Sequence, residues 1–250
     1  AVNEARERVH SAIKNSGFSF PQGKVIVNLA PADIKKEGTN FDLPIAVGIL
    51  KEQGIEIPDS TDTAFIGELS LDGSLRGING VLPLVAGLQE MGISKVFVPD
   101  ENAKEAALVQ NIHVYGAKHL RDIVAHFESE PIKETLVDIN KYLEIHSQQE
   151  YLYDFKDVKG QQKAKRALEI AAAGGHNILM TGSPGSGKTM MAKCMASILP
   201  PLELKEALEL TKIYSICGLL SNTEPLMTKR PYRAVHHTAS PNGIIGGGTN

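Results

Sequence analysis

Residues Asn177–Ala192 constrain this chain more than any other stretch. They read as a buried strand (Ile178, Leu179, Met180), then a glycine-rich turn, then a helix starting near Gly187. Gly182, four intervening residues, Gly187, Lys188 and Thr189 fill every defined position of the P-loop pattern. Each position has a physical reason. Gly182, Gly185 and Gly187 can take backbone angles that a Cβ resists, and they let phosphate approach the main chain. The resulting nest of N–H groups lies at a helix N-terminus, where the dipole favours anions. The residues expected against a nucleotide are therefore Gly182, Ser183, Pro184, Gly185, Ser186, Gly187, Lys188, Thr189 and Met190. Lys188 is expected to bridge the β- and γ-phosphates, and Thr189 Oγ1 to ligate Mg²⁺. These two are the candidate catalytic residues, with Thr189 the candidate metal ligand. A Gly/Ser loop with an incidental lysine is the competing reading. A strand before the loop and a helix after it argue for the nucleotide, ATP being the expected ligand.

A length of 250 residues accommodates one or two domains, and 42% hydrophobic residues suffice for real cores. No apolar run approaches the roughly 18 residues that a membrane span requires. The opening residues, Ala1 to Arg8, are charged and lack a signal-peptide core, so the expected location is cytoplasmic, with no membrane partner. The chain has no initiator Met and starts inside a helical pattern, which reads as a fragment cut at both ends. Cys194 and Cys217 have no metal spacing and read as reduced thiols. A net charge of −3 gives no bulk electrostatic support for nucleic-acid binding.

Periodicity predicts an amphipathic helix over 1–16, with Val2, Ala5, Val9, Ala12 and Ile13 on one face and Gly17 as its stop. Residues 24–30 read as a strand ended by Pro31, followed by a polar loop from Asp33 to Asn40. Asp42 is a candidate cap for the next helix. Residues 64–76 read as a hairpin with Asp72-Gly73 at its turn. A helix over 80–91, a strand over 95–98, a helix over 101–109, a strand over 112–115 and a helix over 119–127 follow. This alternation predicts a small α/β domain over 1–128. Residues 129–153 read as a linker, with a short helix near 132–143. A second α/β domain is expected over 154–250, with helices at 161–173 and 202–217 around the P-loop and mostly loop beyond Asn222.

Five stretches carry a family resemblance. Asp157-Val-Lys-Gly160-Gln161 through Arg166-Ala-Leu is similar to the entry segment of AAA+ ATPases, which adds Val158 and Gly160 to the expected nucleotide contacts. Lys229-Arg-Pro-Tyr-Arg233-Ala-Val-His236-His237-Thr-Ala-Ser240, with Ile244-Ile-Gly-Gly-Gly248, resembles a signature of the magnesium-chelatase-like AAA+ proteins of the ComM/YifB type. Val235 stands where that family usually has Pro. Asn28-Leu-Ala-Pro-Ala-Asp33 and Gly67-Glu-Leu-Ser-Leu-Asp72-Gly73 resemble the family's N-terminal domain, which is similar in fold to the Lon protease domain. The resemblance implies a Lon-protease-like α/β domain followed by the N-terminal part of a P-loop AAA+ domain. It also implies ATP and Mg²⁺ as cofactors, ATP hydrolysis, a homo-oligomeric ring, hexameric in the family, and action on single-stranded or branched DNA. Branch migration in recombination or natural transformation is the implied role. A chelatase-type ATPase remodelling a protein partner and an ATP-gated assembly module are the alternatives. The acidic pair that would activate water, and sensor and arginine-finger segments, are not recognisable by Asn250, so this stretch alone is expected to hold nucleotide without hydrolysing it.

Other candidates are weaker. His236 and His237 are adjacent, and adjacent strand residues point to opposite faces, which makes a poor chelate. Arg230 and Arg233 suit phosphate, a neighbouring subunit or a solvated edge equally. Lys163, Lys165 and Arg166 read as a solvated helix face. A Ser-Lys peptidase needs a nucleophile and a base. Compared with the Lon pattern, those positions hold Asn40 and Leu82, and Thr39 and Ser74 are ordinary turn residues. The N-terminal domain therefore reads as non-proteolytic, a docking or ring-forming module.

Overall fold

The computed structural model describes residues 2–29, 38–58, 61–147, 151–221, 223–236, 238–240, 242–243 and 246. The chain forms two compact units. One holds residues 1–141 together with 206–227, the other 142–205 together with 228–250.

The first unit is built on a parallel sheet. Thr63–Phe65 (β1), Lys95–Pro99 (β4) and His113–Ala117 (β5) pair in the order β1-β4-β5, with Phe65 opposite Phe97 and Phe97 opposite Tyr115. Successive side chains on a strand face opposite sides, so β4 serves two cores. Phe97 joins Val9, Ile13, Leu43, Leu50 and Ile123 on one face, while Val96 and Val98 join Val81, Val85, Ala106 and Val114 on the other. The first face is covered by helices Val2–Asn15 (α1), Asp42–Glu52 (α2) and Leu120–Glu128 (α5), and the second by Val81–Glu90 (α3) and Ala103–Ala106 (α4). The Phe97 ring stacks between Phe65 at 5.0 Å and Tyr115 at 5.1 Å, with His126 edge-on at 4.9 Å. Pro83 is tolerated in α3 because it falls in the first turn, where an N–H has no partner within the helix.

The hairpin is shorter than its sequence suggests. Glu68–Leu69 (β2) and Leu75–Arg76 (β3) pair antiparallel. Ala64 and Phe65, expected to open this hairpin, belong with Thr63 to the parallel sheet instead. The partner strand lies about thirty residues on, a pairing that leaves no local turn signal. Gly73 at the tip has φ +89, and a Cβ there would come within 2.2 Å of Ser16 Oγ and 2.6 Å of the His119 ring. The tip is thus tucked between the end of α1 and the start of α5. Asn15 Nδ2 donates to the Leu71 carbonyl at 2.7 Å, and the Leu120 N–H to the Gly73 carbonyl at 2.9 Å.

Several local expectations need correction. Residues 24–29 are exposed and join no ladder, so the strand expected over 24–30 is not formed across its described part. Asp42 does not cap α2: Phe41 holds the cap position, and Asp42 is the first helical residue. Its buried carboxylate is needed elsewhere, taking Arg8 Nε at 2.8 Å and the second guanidinium nitrogen at 3.2 Å. That hydrogen bond, opposed by burial, raises the Arg8 pKa above its ordinary value. The helix expected over 101–109 shrinks to a single 3₁₀ turn and α4. The linker helix forms later than expected, at Ile139–Ser147 (α6).

The start of the linker is strapped to β5. The Thr135 N–H donates to the Val114 carbonyl at 2.8 Å, His113 Nδ1 meets Glu134 at 2.9 Å, and the Ile132 N–H donates to His126 Nδ1 at 2.9 Å.

The second unit contains Gln162–Gly174 (α7) and Lys188–Cys194 (α8), while Leu204–Ile216 (α9) falls mainly in the first unit. The strand expected at Ile178–Met180 is absent as a strand, and it is not buried: Leu179 is 88% exposed. A strand exists only through ladder partners, and none pairs with this stretch among the described residues. Among the described residues, no helix is long and apolar enough to cross a membrane.

Candidate nucleotide site

The loop before α8 curls around its own lysine. Lys188 Nζ donates to the Gly182 carbonyl at 3.0 Å, the Ser183 carbonyl at 2.7 Å and Ser186 Oγ at 3.2 Å. An ammonium has three protons to donate, and three acceptors of the loop face it. φ is +79 at Gly185 and +84 at Gly187 but negative at Ser186 between them. This alternation of hand is the geometry in which successive N–H groups converge on one concave side. A Cβ at Gly185 or Gly187 would meet nothing within 4 Å, so glycine is required there by backbone hand rather than by space. Gly187 caps α8, which places Lys188 and Thr189 in its first turn. Thr189, Gly182, Ser183, Pro184, Gly185 and Gly187 are exposed, Met190 is 43% exposed, and Lys188 and Ser186 are half-buried. The donor set is a converging main-chain loop, one ammonium and one accessible hydroxyl at a helix start. It fits a polyphosphate carrying a hard divalent cation, with Thr189 Oγ1 as the protein's ligand to the metal.

The entry segment is fixed against this loop's helix by burial. Phe155, Val158 and Leu168 share one core with Met191 and Cys194, and Met180 packs against its edge. Val158 is 6% exposed, so its side chain serves the core. Its carbonyl accepts from Lys165 Nζ at 3.0 Å, and the same ammonium lies 5.2 Å from the Phe155 ring centre. Lys165 therefore clamps the turn instead of standing on a solvated face, whereas Arg166 pairs with Glu169 at 3.1 Å on the surface. Gly160 and Gln161 are both left-handed, at φ +68 and +53. For glutamine this is an unfavourable conformation, held by the turn into α7.

A serine absent from the sequence reading completes the frame. Ser197 Oγ accepts the Phe155 N–H at 2.9 Å and donates to the Cys194 carbonyl at 2.8 Å. The entry turn and the end of α8 are tied together through one hydroxyl. Asp154 begins this turn by accepting the Lys156 N–H at 2.9 Å, which holds its carboxyl below the usual range. Burial raises the Cys194 thiol above its ordinary pKa, with Asp157 and Asp154 adding to the rise, as for an inert core cysteine.

In the C-terminal block, Arg230 Nε donates to the Pro200 carbonyl at 2.7 Å, and Lys229 Nζ stands 5.6 Å from the Tyr151 ring centre. Arg230 is thus partly committed to the main chain just beyond α8. His236 Nδ1 meets Thr238 Oγ1 at 2.7 Å. His237, Ile244, Ile245, Gly247 and Gly248, like residues 30–33 of the first N-terminal block, lie outside the described residues. Of the two peptidase positions, Leu82 is 1% exposed in the first turn of α3, and Asn40 lies in the turn before α2, its carbonyl accepting from Gly67 at 3.2 Å. Thr39 donates to Glu68, and Ser74 Oγ is bound to Asp72 at 2.7 Å.

Comparison with known proteins agrees with this architecture. Residues 1–102 match the family described as subunit ChlI of Mg-chelatase, and residues 154–250 the family described as magnesium chelatase, subunit ChlI. The chain is 40% identical over 249 residues to competence protein ComM of Haemophilus influenzae, covering 99% of this chain and 48% of that protein. It is 40% identical over 248 residues to YifB of Salmonella typhimurium, again covering 99% and 48%. Lon protease 2 of Bacillus subtilis is 27% identical over 140 residues, which are 54% of this chain and 25% of the protease. The chain spans about half the length of the ComM and YifB relatives it matches. Its architecture is a Lon-protease-like α/β domain followed by P-loop sequence of the AAA+ type, and the chain belongs to the magnesium-chelatase-like family of ComM and YifB.

Proposed function

We propose that Gly182–Thr189, with the turn from Val158 to Gly160, binds ATP·Mg²⁺, and that the whole protein is an ATP-dependent motor that assembles as a ring on DNA. The observation that carries the nucleotide reading is the loop that converges on Lys188 Nζ within a complete P-loop pattern. Lys188 would hold the β- and γ-phosphates, the main-chain loop their remaining oxygens, and Thr189 Oγ1 the metal. Bound magnesium would offset the phosphate charge. The clamp made by Lys165 and Ser197 would keep the entry turn in place beside the bound nucleotide.

The step from nucleotide to DNA is supported by resemblance to ComM, whose name links that protein to competence. Branched DNA, hexameric assembly and a cytoplasmic location belong to the same reading. The N-terminal unit is read as non-proteolytic, since Asn40 and Leu82 supply neither nucleophile nor base. Cleavage of unfolded casein that depends on Thr39 or Ser74 would refute that part.

The test is processing of a labelled four-way junction by the full-length protein, with ATP, without ATP, and with Lys188→Ala. Junction processing that requires both ATP and Lys188, and weakens steeply with salt, is expected. Hydrolysis indifferent to DNA, with no processing at any salt, would favour remodelling of a protein partner, the reading that the chelatase relationship carries.

A further inference from the structure

We propose that a cavity beyond the C-terminal end of β4 binds a small organic cation of the guanidinium or alkylammonium class, with Glu105 as the group that takes its charge. Every residue around the cavity belongs to the first unit. The proposal is independent of the nucleotide reading above.

The cavity has a built wall. β4 ends at Pro99, and the 3₁₀ turn Asp100–Asn102 and then α4 follow it. Ligands of parallel sheets collect outside the carboxyl ends of the strands. There a space of about 200 Å³ lies between Asn79, Glu101, Asn102, Glu105 and Ser215. Glu105 and Asn102 are each 7% exposed and Ser215 is 3% exposed. Their places are set from several segments. Asn102 accepts the Ile78 N–H at 2.9 Å and donates to the Ile78 carbonyl at 3.0 Å. Ser215 stands in the last turn of α9, and its carbonyl accepts the Gly80 N–H at 3.1 Å, at the cap of α3. Two glycines let the walls approach. A Cβ on Gly77 would come within 2.6 Å of Glu101 Oε2, and one on Gly218, which has φ +64, within 2.7 Å of the Asn79 amide nitrogen.

The chemistry of that wall is one-sided. Glu105 Oε1 accepts the Leu82 N–H at 2.8 Å and the Ser215 hydroxyl, and Oε2 accepts from Asn102 Nδ2 at 3.3 Å. Three donors and no acceptor face the group, the surroundings of a carboxylate and not of a carboxylic acid. None of the three donors is charged. Among the described residues, no Lys, Arg or His forms an ion pair with Glu105. A buried carboxylate ordinarily keeps a cation beside it, because hydrogen bonds from neutral groups offset only part of the lost hydration. Beside Glu105 lies the cavity. Oε2, with one long hydrogen bond, has lone-pair capacity left for a ligand.

The other polar groups narrow the class of ligand. Glu101 and Lys104 also border the cavity, and both are exposed. Two carboxylates against one ammonium leave a single negative charge, which suits a ligand with one positive group. The Asn79 amide has no hydrogen-bond partner among the described residues and can accept from or donate to a ligand. Among the described residues, no three His, Cys, Asp or Glu side chains converge as metal ligands need to. The volume equals the share of about seven water molecules, enough for a cationic head and a short aliphatic stem.

The test titrates the full-length protein by calorimetry with propylguanidinium and propylammonium chlorides at low millimolar concentration. N-propylurea, the neutral isostere of the first, is the control. At least one of the two cations should bind saturably, one per chain, and at least about tenfold more tightly than propylurea. Amide exchange at 78–82 should slow when it binds. Glu105→Gln keeps the shape of the side chain and removes its charge, so it should weaken the cation by about tenfold or more and leave propylurea unchanged. Glu101→Gln changes an exposed, screened charge and should weaken the cation by about threefold. It serves if Glu105→Gln fails to fold. Saturable binding of neither cation overturns the proposal, and so does propylurea bound as tightly as the cations. A folded Glu105→Gln that binds like the wild type overturns it too, as does an unaltered Glu101→Gln where Glu105→Gln does not fold.

Discussion

Lys95–Pro99 and Ile178–Met180 are both short apolar runs beside a turn, yet Phe97 is 1% exposed and Leu179 is 88% exposed. The first run lies between two parallel neighbours and divides its side chains between two cores. The second has no ladder partner among the described residues. Apolar character alone does not make a strand; a strand is a relation between segments, and the partner can be far away in sequence. The two units are accordingly held in different ways. The first rests on interdigitated aliphatic and aromatic side chains. Among the described residues, the second rests on one small core and on polar ties at Ser197, Lys165 and Lys188.

The largest expected effect probes the first side of this contrast. Phe97→Ala should cost about 3–5 kcal/mol by urea unfolding, because it empties a site packed on all sides. Leu179→Ala in the same assay should stay within about 0.5 kcal/mol. Equal losses would show that the Leu179 side chain is buried after all.

Next in size is the loop that keeps its shape without a sheet beneath it. Lys188→Ala in the intact protein should weaken nucleotide by well over tenfold, more than about 1.4 kcal/mol, while its melting temperature without nucleotide changes little. Unchanged affinity by calorimetry would end the nucleotide reading.

Ser197→Ala should cost about 1 kcal/mol and act locally, since it leaves the Phe155 N–H without its acceptor. Amide exchange should accelerate at 155–158 and remain slow in the parallel sheet. Uniform acceleration would mean that the two units do not differ in how they are held.

The smallest effect concerns pH. His126 is half-buried among Phe97, Tyr115 and Phe127, and its Nδ1 accepts the Ile132 N–H. Burial, with the Lys95 charge adding to it, lowers its pKa below the ordinary 6.5. The unfolded chain then binds the proton more readily than the folded one. The stabilisation is full above about pH 6.5 and is lost as pH falls through the lower folded value. Urea midpoints between pH 7.5 and 5 should decline in the wild type and decline less in His126→Phe. Identical slopes would refute a role for this histidine.

Much of the first unit was legible because its signals are local. Short apolar runs closed by Pro99 and Gly116 mark Lys95–Pro99 and His113–Ala117, and period-four apolar positions mark α1. β1 looks like the lead-in to the hairpin because its true neighbour is a parallel strand reached only after the hairpin and a helix. Asp42 resembles a cap because a capping residue and a buried ion-pair partner look alike in sequence, and Arg8 lies 34 positions away. In the nucleotide site, the P-loop residues are legible because each meets a constraint of backbone hand, charge or metal ligation. Ser197 and Lys165 act through main-chain groups, which leave no residue-type pattern, so no sequence signal pointed to them. Glu105 leaves no pattern either: its partners are the Leu82 N–H, the neighbouring Asn102 amide and the Ser215 hydroxyl 110 positions away.

The contact between Glu105 and Ser215 also has a place in time. Ser215 is translated 110 positions after Glu105, once the entire P-loop has left the peptidyl-transferase centre. At cellular elongation rates that interval is roughly 5–20 s, far longer than helices and local strand pairs need to form. The parallel sheet and its helices can condense as they emerge from the ribosome. The Glu105 carboxylate, already held by Leu82 and Asn102, then waits as a finished receptor for a helix not yet made. The N-terminal fold is completed by residues whose synthesis follows that of the nucleotide loop, so the nascent chain cannot finish its first domain before it has begun its second.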